Sequence, residues 1–266
     1  EAIDWAHKVL ERAQKPEEKA EAHLYIGLGL LNLSFFTKRE KRRENLREAE
    51  SILSRISPKS PAVELLLARC YDSLANDLTF THHNYDKVMA LGLFRKSITI
   101  KKSNQTYDLA GLARSYGGLG RLFLEWNRNL TDIGRAKKYF EKDLQLSIQL
   151  NDLVGQIKMH SFLGQCCIEA KQFQEAEDHY NKSLQLSGKE QYFRSDQFFA
   201  LVGLVKVYSL TDEKEPMKQT GEKMVELLEK PGFVVPDVSV INRFINEHQE
   251  KLVNLPWFET LKKKTT

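Results

Sequence analysis

The sequence predicts an all-α fold, an α-solenoid of stacked antiparallel helical hairpins, and three observations carry that expectation. No proline lies between Pro61 and Pro216, so nothing in that long interval removes a helical N–H or jams a turn. An alanine, then a large apolar residue one turn later, then a third inward position recurs about every 40 residues. The sets are Ala49, Leu53, Ile56; Ala90, Phe94, Ser97; Ala136, Phe140, Asp143; and Ala176, Tyr180, Ser183. Small residues also follow a leucine or valine at Leu28-Gly29, Leu67-Ala68, Leu119-Gly120, Leu163-Gly164 and Val202-Gly203. Small residues on facing helices let the pair approach closely, and the large residue fills the gap between them.

In order along the chain, residues 1–15 read as the second helix of a repeat whose first helix is missing, with Ala2, Ala6, Val9 and Leu10 on one side. Helical hairpins are expected at 16–60, 61–104, 105–150, 151–189 and 190–231. The clearest is 151–189, where a tight turn at Lys171 to Gln174 separates the Gly164 helix from the Ala176 helix. Residues 232–266 are expected to close the stack. Asp237 stands as N-cap after Pro236, and Val240, Ile241, Phe244 and Ile245 form the stripe that packs back. The tail from Leu255 to Thr266 is expected to run into solvent. The chain begins at Glu1 without an initiator methionine, and charges run through to Gln14, so no signal peptide is read and a longer parent chain is expected.

Composition excludes several classes. Of 266 residues, 41% are hydrophobic and 29% charged, close to globular averages and unlike a disordered chain. Mean hydropathy is −0.46, and no apolar run approaches the roughly 18 residues of a spanning helix. Forty basic and 36 acidic residues leave a net charge of +4, far from a dedicated nucleic-acid binder. Cys70, Cys166 and Cys167 are an odd set without redox spacing, so the expected compartment is the reducing cytoplasm.

The segments Ala136 to Asp152 (AKKYFEKDLQLSIQLND) and Ala176 to Glu190 (AEDHYNKSLQLSGKE) resemble second helices of tetratricopeptide repeats. The likeness is to the variety of roughly 40 residues found in scaffold proteins and in C-terminal sensor regions of signalling NTPases. It extends over nearly the whole chain and is clearest from Arg135 to Gly188. It implies a right-handed superhelix whose concave groove is lined by first helices. Carried over by register, that lining is His23, Ile26 and Leu30; Leu65, Arg69 and Asp72; Arg114, Gly117, Arg121 and Leu124; Lys158, Ser161, Gln165 and Ile168; and Gln197, Ala200 and Leu204. Arg69, Arg114, Arg121 and Lys158, with Ser161 and Gln165 beside them, make the candidate partner-binding set. Guanidinium and ammonium groups there favour an acidic peptide. The same cations can instead pair with Asp72, Glu125 and Glu169. The family's clamp for chaperone C-termini uses lysine and asparagine where this chain has Gly117 with Arg121 and Ser161 with Gln165, so that ligand is disfavoured.

Other constellations read as structure. Gly117-Gly118-Leu119-Gly120 and Gly27-Leu28-Gly29 have no preceding strand and no Lys-Ser/Thr pair, so they are packing glycines and not a phosphate loop. Cys166 and Cys167 point about 100° apart on a helix and have no further ligand beside them, so no metal is assigned. His82-His83 is placed in a solvated loop. Lys38, Arg39, Lys41, Arg42 and Arg43 are placed in a solvated turn, with Lys262 to Lys264 a weaker basic run. The sequons at Asn32, Asn104, Asn129 and Asn181 are not read as glycosylated, since Asn32 and Asn181 fall in predicted helices. No nucleophile, base and orienting group converge in any motif, so no catalysis and no cofactor are expected. The expected function is non-enzymatic binding of a protein or peptide in the concave groove, as a sensing or scaffolding part of a longer chain. Two alternatives stay open: a sensor of a small anionic or peptide ligand, and RNA or phosphate binding through the groove and the Lys38 to Arg43 turn. Self-association through an end repeat is also open.

Overall fold

The computed structural model describes residues 2–34, 38–79, 84–103, 107–126, 129–188, 191–233, 238–253 and 255–265. Every regular element among them is helical. The order is α1 (Ala2–Arg12), α2 (Pro16–Ser34), α3 (Arg39–Arg55), α4 (Pro61–Thr79), α5 (Asn84–Lys101), α6 (Leu109–Leu124) and α7 (Leu130–Gln149). Then come α8 (Leu153–Glu169), α9 (Phe173–Ser187), a short 3-10 turn at Gln191–Phe193, α10 (Arg194–Thr211), α11 (Lys214–Leu228), α12 (Val238–Leu252) and α13 (Pro256–Thr265). Long helices joined by short links must fold back on one another, and α2 packs on α3, α4 on α5, α8 on α9 and α10 on α11. Each hairpin also leans on its neighbour, as α3 on α4, α5 on α6 and α9 on α10.

The chain divides into two compact units, 1–146 and 147–266, the division falling inside α7. In the first unit, Ala49, Leu53, Ala90, Phe94, Ala136 and Phe140 are all fully buried. In the second, Ala176, Phe198, Val205, Met224 and Phe258 are fully buried and belong to one continuous core. The recurring alanine and the large residue one turn after it therefore mark the inner stripe of α3, α5, α7 and α9.

Glycines on first helices are the sockets for those large residues. A β-carbon built on Gly164 falls 2.9 Å from the Tyr180 ring, and Gly120 meets Phe140 in the same way. A second kind of socket faces the preceding hairpin: Gly118 abuts Phe94, and Gly203 also abuts the Tyr180 ring. The first hairpin separates the two kinds. A β-carbon built on Gly27 falls 2.7 Å from the Leu53 side chain of α3, whereas one built on Gly29 falls 2.6 Å from Ile3 of α1. Gly29, expected to face the Ala49 helix, thus serves the helix before it.

Tight turns repeat as well. Asn151, Lys171 and Asp212 have φ of 54°, 59° and 61°, and the next amide bonds back five residues, from Asp152 to Ser147, Gln172 to Cys167 and Glu213 to Tyr208. This left-handed closure satisfies the last carbonyls of α7, α8 and α10. Two first helices, α6 and α8, are capped alike: Asp108 accepts from Gly111 N at 2.8 Å, and Asp152 from Gly155 N at 3.0 Å.

Two segments differ from expectation. The basic run is not a loose turn, because α3 begins at Arg39 and draws it into helix. There Arg42 Nε donates to Ser34 O at 3.0 Å, Arg43 meets Asp77 at 2.6 Å, and Lys41 meets Glu44 at 3.0 Å. The tail is not solvated either: it is α13, with Trp257, Phe258 and Leu261 buried and the indole lodged against Gly221 of α11. Pro256 at the first helical position starts it, and three large apolar groups drive it inward. His82, His83, Asn104 and Asp237 lie outside the described residues.

Candidate functional site

The capped starts of α6 and α8 set the phase of each first helix, and with it the side chains that reach solvent. Arg114 on α6 and Lys158 on α8 are exposed and hold the same place relative to the socket glycines Gly120 and Gly164. Arg69, just beyond Ala68 on α4, is exposed too. None of these three takes part in a hydrogen bond or ion pair with another described residue. Lys158 does lie close enough to Asp196 of α10 to favour its carboxylate, although burial pushes the Asp196 pKa up overall.

The other assigned groups are committed inside their units. Arg121 is half-buried, donates from Nη2 to Asn76 Oδ1 at 2.6 Å, and has its pKa lowered by burial against the opposing charge of Asp143. Ser161 turns toward α9, with its hydroxyl 3.0 Å from that of Ser183. Gln165 is half-buried. Much of the register-derived lining is core: Ile26, Leu30, Leu124, Ile168, Ala200 and Leu204 are buried.

Asp72, weighed as a partner for those cations, is taken by a buried amine instead. Lys101 of α5 is 1% exposed and forms an ion pair with the Asp72 carboxylate. It also donates to Ser115 Oγ at 2.9 Å and to Gly111 O at 3.2 Å. Lys87 is buried likewise, with Nζ on the carbonyls of Glu125 and Trp126 at 2.6 and 2.8 Å. On α6 and α7, Tyr116, Tyr139 and Phe123 stack in series with centroids 6.1 and 5.7 Å apart. Lys142 lies over both tyrosines and Arg135 over Phe123.

Two further places gather polar groups. A cleft of about 360 Å³ among α1, α2 and α3 is lined in part by His7, His23, Glu48 and Arg55. Between α8 and α9, Cys167, Glu175 and His179 each bring a ligand-type atom to within 4.8 Å of the others. His160 Nδ1 stands 3.0 Å from His179 Nδ1, and burial, His179 and Lys182 hold the His160 pKa down to about 4. Sequence reasoning looked beside Cys167 for ligands and found none. The groups that the fold brings to Cys167 are Glu175 and His179, which stand across the turn on α9, and their i, i+4 spacing was the available signal.

No family model matches the chain, and no curated protein matches it. Among solved structures it is similar to one described as a functional characterisation of Pseudomonas aeruginosa pilF, at 17% identity and a TM-score of 0.38. That likeness covers 89% of this chain and 99% of the other. Among the described residues, no helix is long and apolar enough to cross a membrane.

Proposed function

We propose that the chain is a non-enzymatic helical-repeat module that binds an acidic segment of a partner protein through the exposed first-helix cations, in a scaffolding or sensing role. The carrying observation is the shared register of Arg114 and Lys158, each exposed and outside any ion pair among the described residues, with Arg69 exposed on α4. Exposed guanidinium and ammonium groups on first helices suit a ligand that carries negative charge. The resemblance to tetratricopeptide repeats supports the same reading. Arg121 and Ser161 are given positioning roles, since the first is tied to Asn76 and the second to Ser183. The Lys38 to Arg43 run is left out because Lys41, Arg42 and Arg43 have partners of their own.

The test is capture from native lysate with two baits: the wild-type chain and an Arg69→Glu, Arg114→Glu, Lys158→Glu variant of equal helicity by circular dichroism. Loss of a captured protein with the variant is the expected result. Equal capture by both baits overturns the reading.

A further inference from the structure

α8 and α9 meet along a face where thiol, carboxylate and imidazole groups converge. Ligand atoms of Cys167, Glu175 and His179 lie within 4.8 Å of one another. His179 Nε2 and Glu175 Oε1 stand 4.0 Å apart, too far for a hydrogen bond and near the span two ligands keep around a shared cation with bonds of roughly 2 Å. The opposite nitrogen of the same ring faces His160 at 3.0 Å. We infer that Cys167, Glu175 and His179 form a binding site for one divalent transition cation, zinc being the best fit, with His160 orienting the His179 ring.

The donor set selects the ion. A thiolate beside an imidazole disfavours magnesium and calcium, which want oxygen, and suits zinc or cobalt. Three protein ligands leave a fourth tetrahedral position for water. Contraction of the triangle by about 1 Å gives tetrahedral ligand separations, and Glu175, with a side chain 41% exposed, has the room to supply it. Cys167 itself is fully buried, so an ion enters past the partly exposed Glu175 and His179 side chains.

His160 settles which nitrogen of His179 binds. The 3.0 Å contact between the two Nδ1 atoms requires one ring to donate to the other, and in the inferred site His179 Nδ1–H donates while His160 Nδ1 accepts. The lone pair on His179 Nε2 then points toward Glu175, as second partners of ligating histidines arrange. On binding, the Cys167 S–H bond breaks, a sulfur–metal bond forms, and the proton leaves to solvent. No oxidant or reductant takes part. The turn at Lys171 brings the end of α8 against the start of α9, so the cation would tie one hairpin's two helices together.

The experiment titrates the full chain, reduced and stripped of metal, with Co²⁺ and then with Zn²⁺ as competitor. Expected are one Co²⁺ per chain, a thiolate-to-cobalt charge-transfer band, and displacement by Zn²⁺, which binds such sites more tightly than Co²⁺. Cys167→Ser removes the band, while Cys166→Ser keeps it. Glu175→Gln, at a partly exposed position where folding is not at risk, weakens binding at least tenfold, and His179→Gln does the same. His160→Leu weakens it by roughly 10- to 100-fold, whereas His160→Gln, which retains an acceptor, keeps most of it. No stoichiometric binding, binding without the charge-transfer band, or binding unchanged in both Glu175→Gln and His179→Gln overturns the assignment.

Discussion

Lys101 shows what burial demands of a charge. Its ammonium has three N–H donors, and the structure supplies three acceptors: the Asp72 carboxylate, Ser115 Oγ and Gly111 O. Removing one member of such a pair strands the other, which typically costs about 3–5 kcal/mol. Lys101→Met is therefore expected to destabilise the first unit by about that amount in urea unfolding, and adding Asp72→Leu to recover most of it. A single-variant cost below about 1 kcal/mol contradicts this account of the pair. In the second unit His248 titrates as well as His160; His248 is buried, 3.1 Å from Ser209 Oγ and with no partner for Nε2. Its pKa is lowered from 6.5, first by burial, then by Lys206 and Lys251 against the opposing effect of Glu247. The unfolded chain therefore takes up the proton more readily than the folded one, and stability rises with pH. Melting followed from pH 8 downward is expected to fall off below 6.5, and His248→Gln to lessen that fall, the rest coming from His160. None of these pairings was legible in the sequence. Asp72 reads there as a groove residue, because only the packing of α5 against α4 and α6 brings Lys101 to it.

At the scale of the element, space decides which glycines matter. Gly203→Ala drives a methyl group into the Tyr180 ring, and overpacking of that kind costs about 1–3 kcal/mol. This exceeds the gain of up to about 1 kcal/mol that alanine brings to a helix. Gly134 of α7 is exposed and has nothing within 4 Å of a built β-carbon, so Gly134→Ala is expected to stabilise by about 0.5–1 kcal/mol. Thermal melts of the two variants should move in opposite directions; if both stabilise, the socket account fails. The second helices were legible because an alanine and a large ring one turn apart are packing features written in single residues. The two kinds of socket were not, since Gly27 and Gly29 differ only in which neighbour they face. α13 was missed for a related reason: Trp257, Phe258 and Leu261 fill one turn of helix, too short a run for periodicity to declare itself. The cluster between α8 and α9 depends on the phase of two helices across a turn, and Cys167 alone gives no hint of it.

For the whole molecule, a net charge of +4 is too small to choose a partner, so recognition must come from placement. Each unit buries most of the inner face of its first helices, and what it leaves outside includes Arg69 and Arg114 in one unit and Lys158 in the other. The sequence carried the candidate cations and the hairpin register, but not the commitment of Arg121 to Asn76 or of Ser161 to Ser183, which arises only when side chains pack. The most direct measurement of the central claim is a titration of a fluorescent acidic peptide, with a neutral peptide of equal length as control, into the wild-type chain and the Arg69→Glu, Arg114→Glu, Lys158→Glu variant. Charge-assisted hydrogen bonds contribute about 1.5–3 kcal/mol each. The account accordingly predicts binding of the acidic peptide alone and its loss by at least tenfold in the variant. Equal affinity of both proteins for the acidic peptide, or equal affinity of the wild-type chain for both peptides, contradicts it.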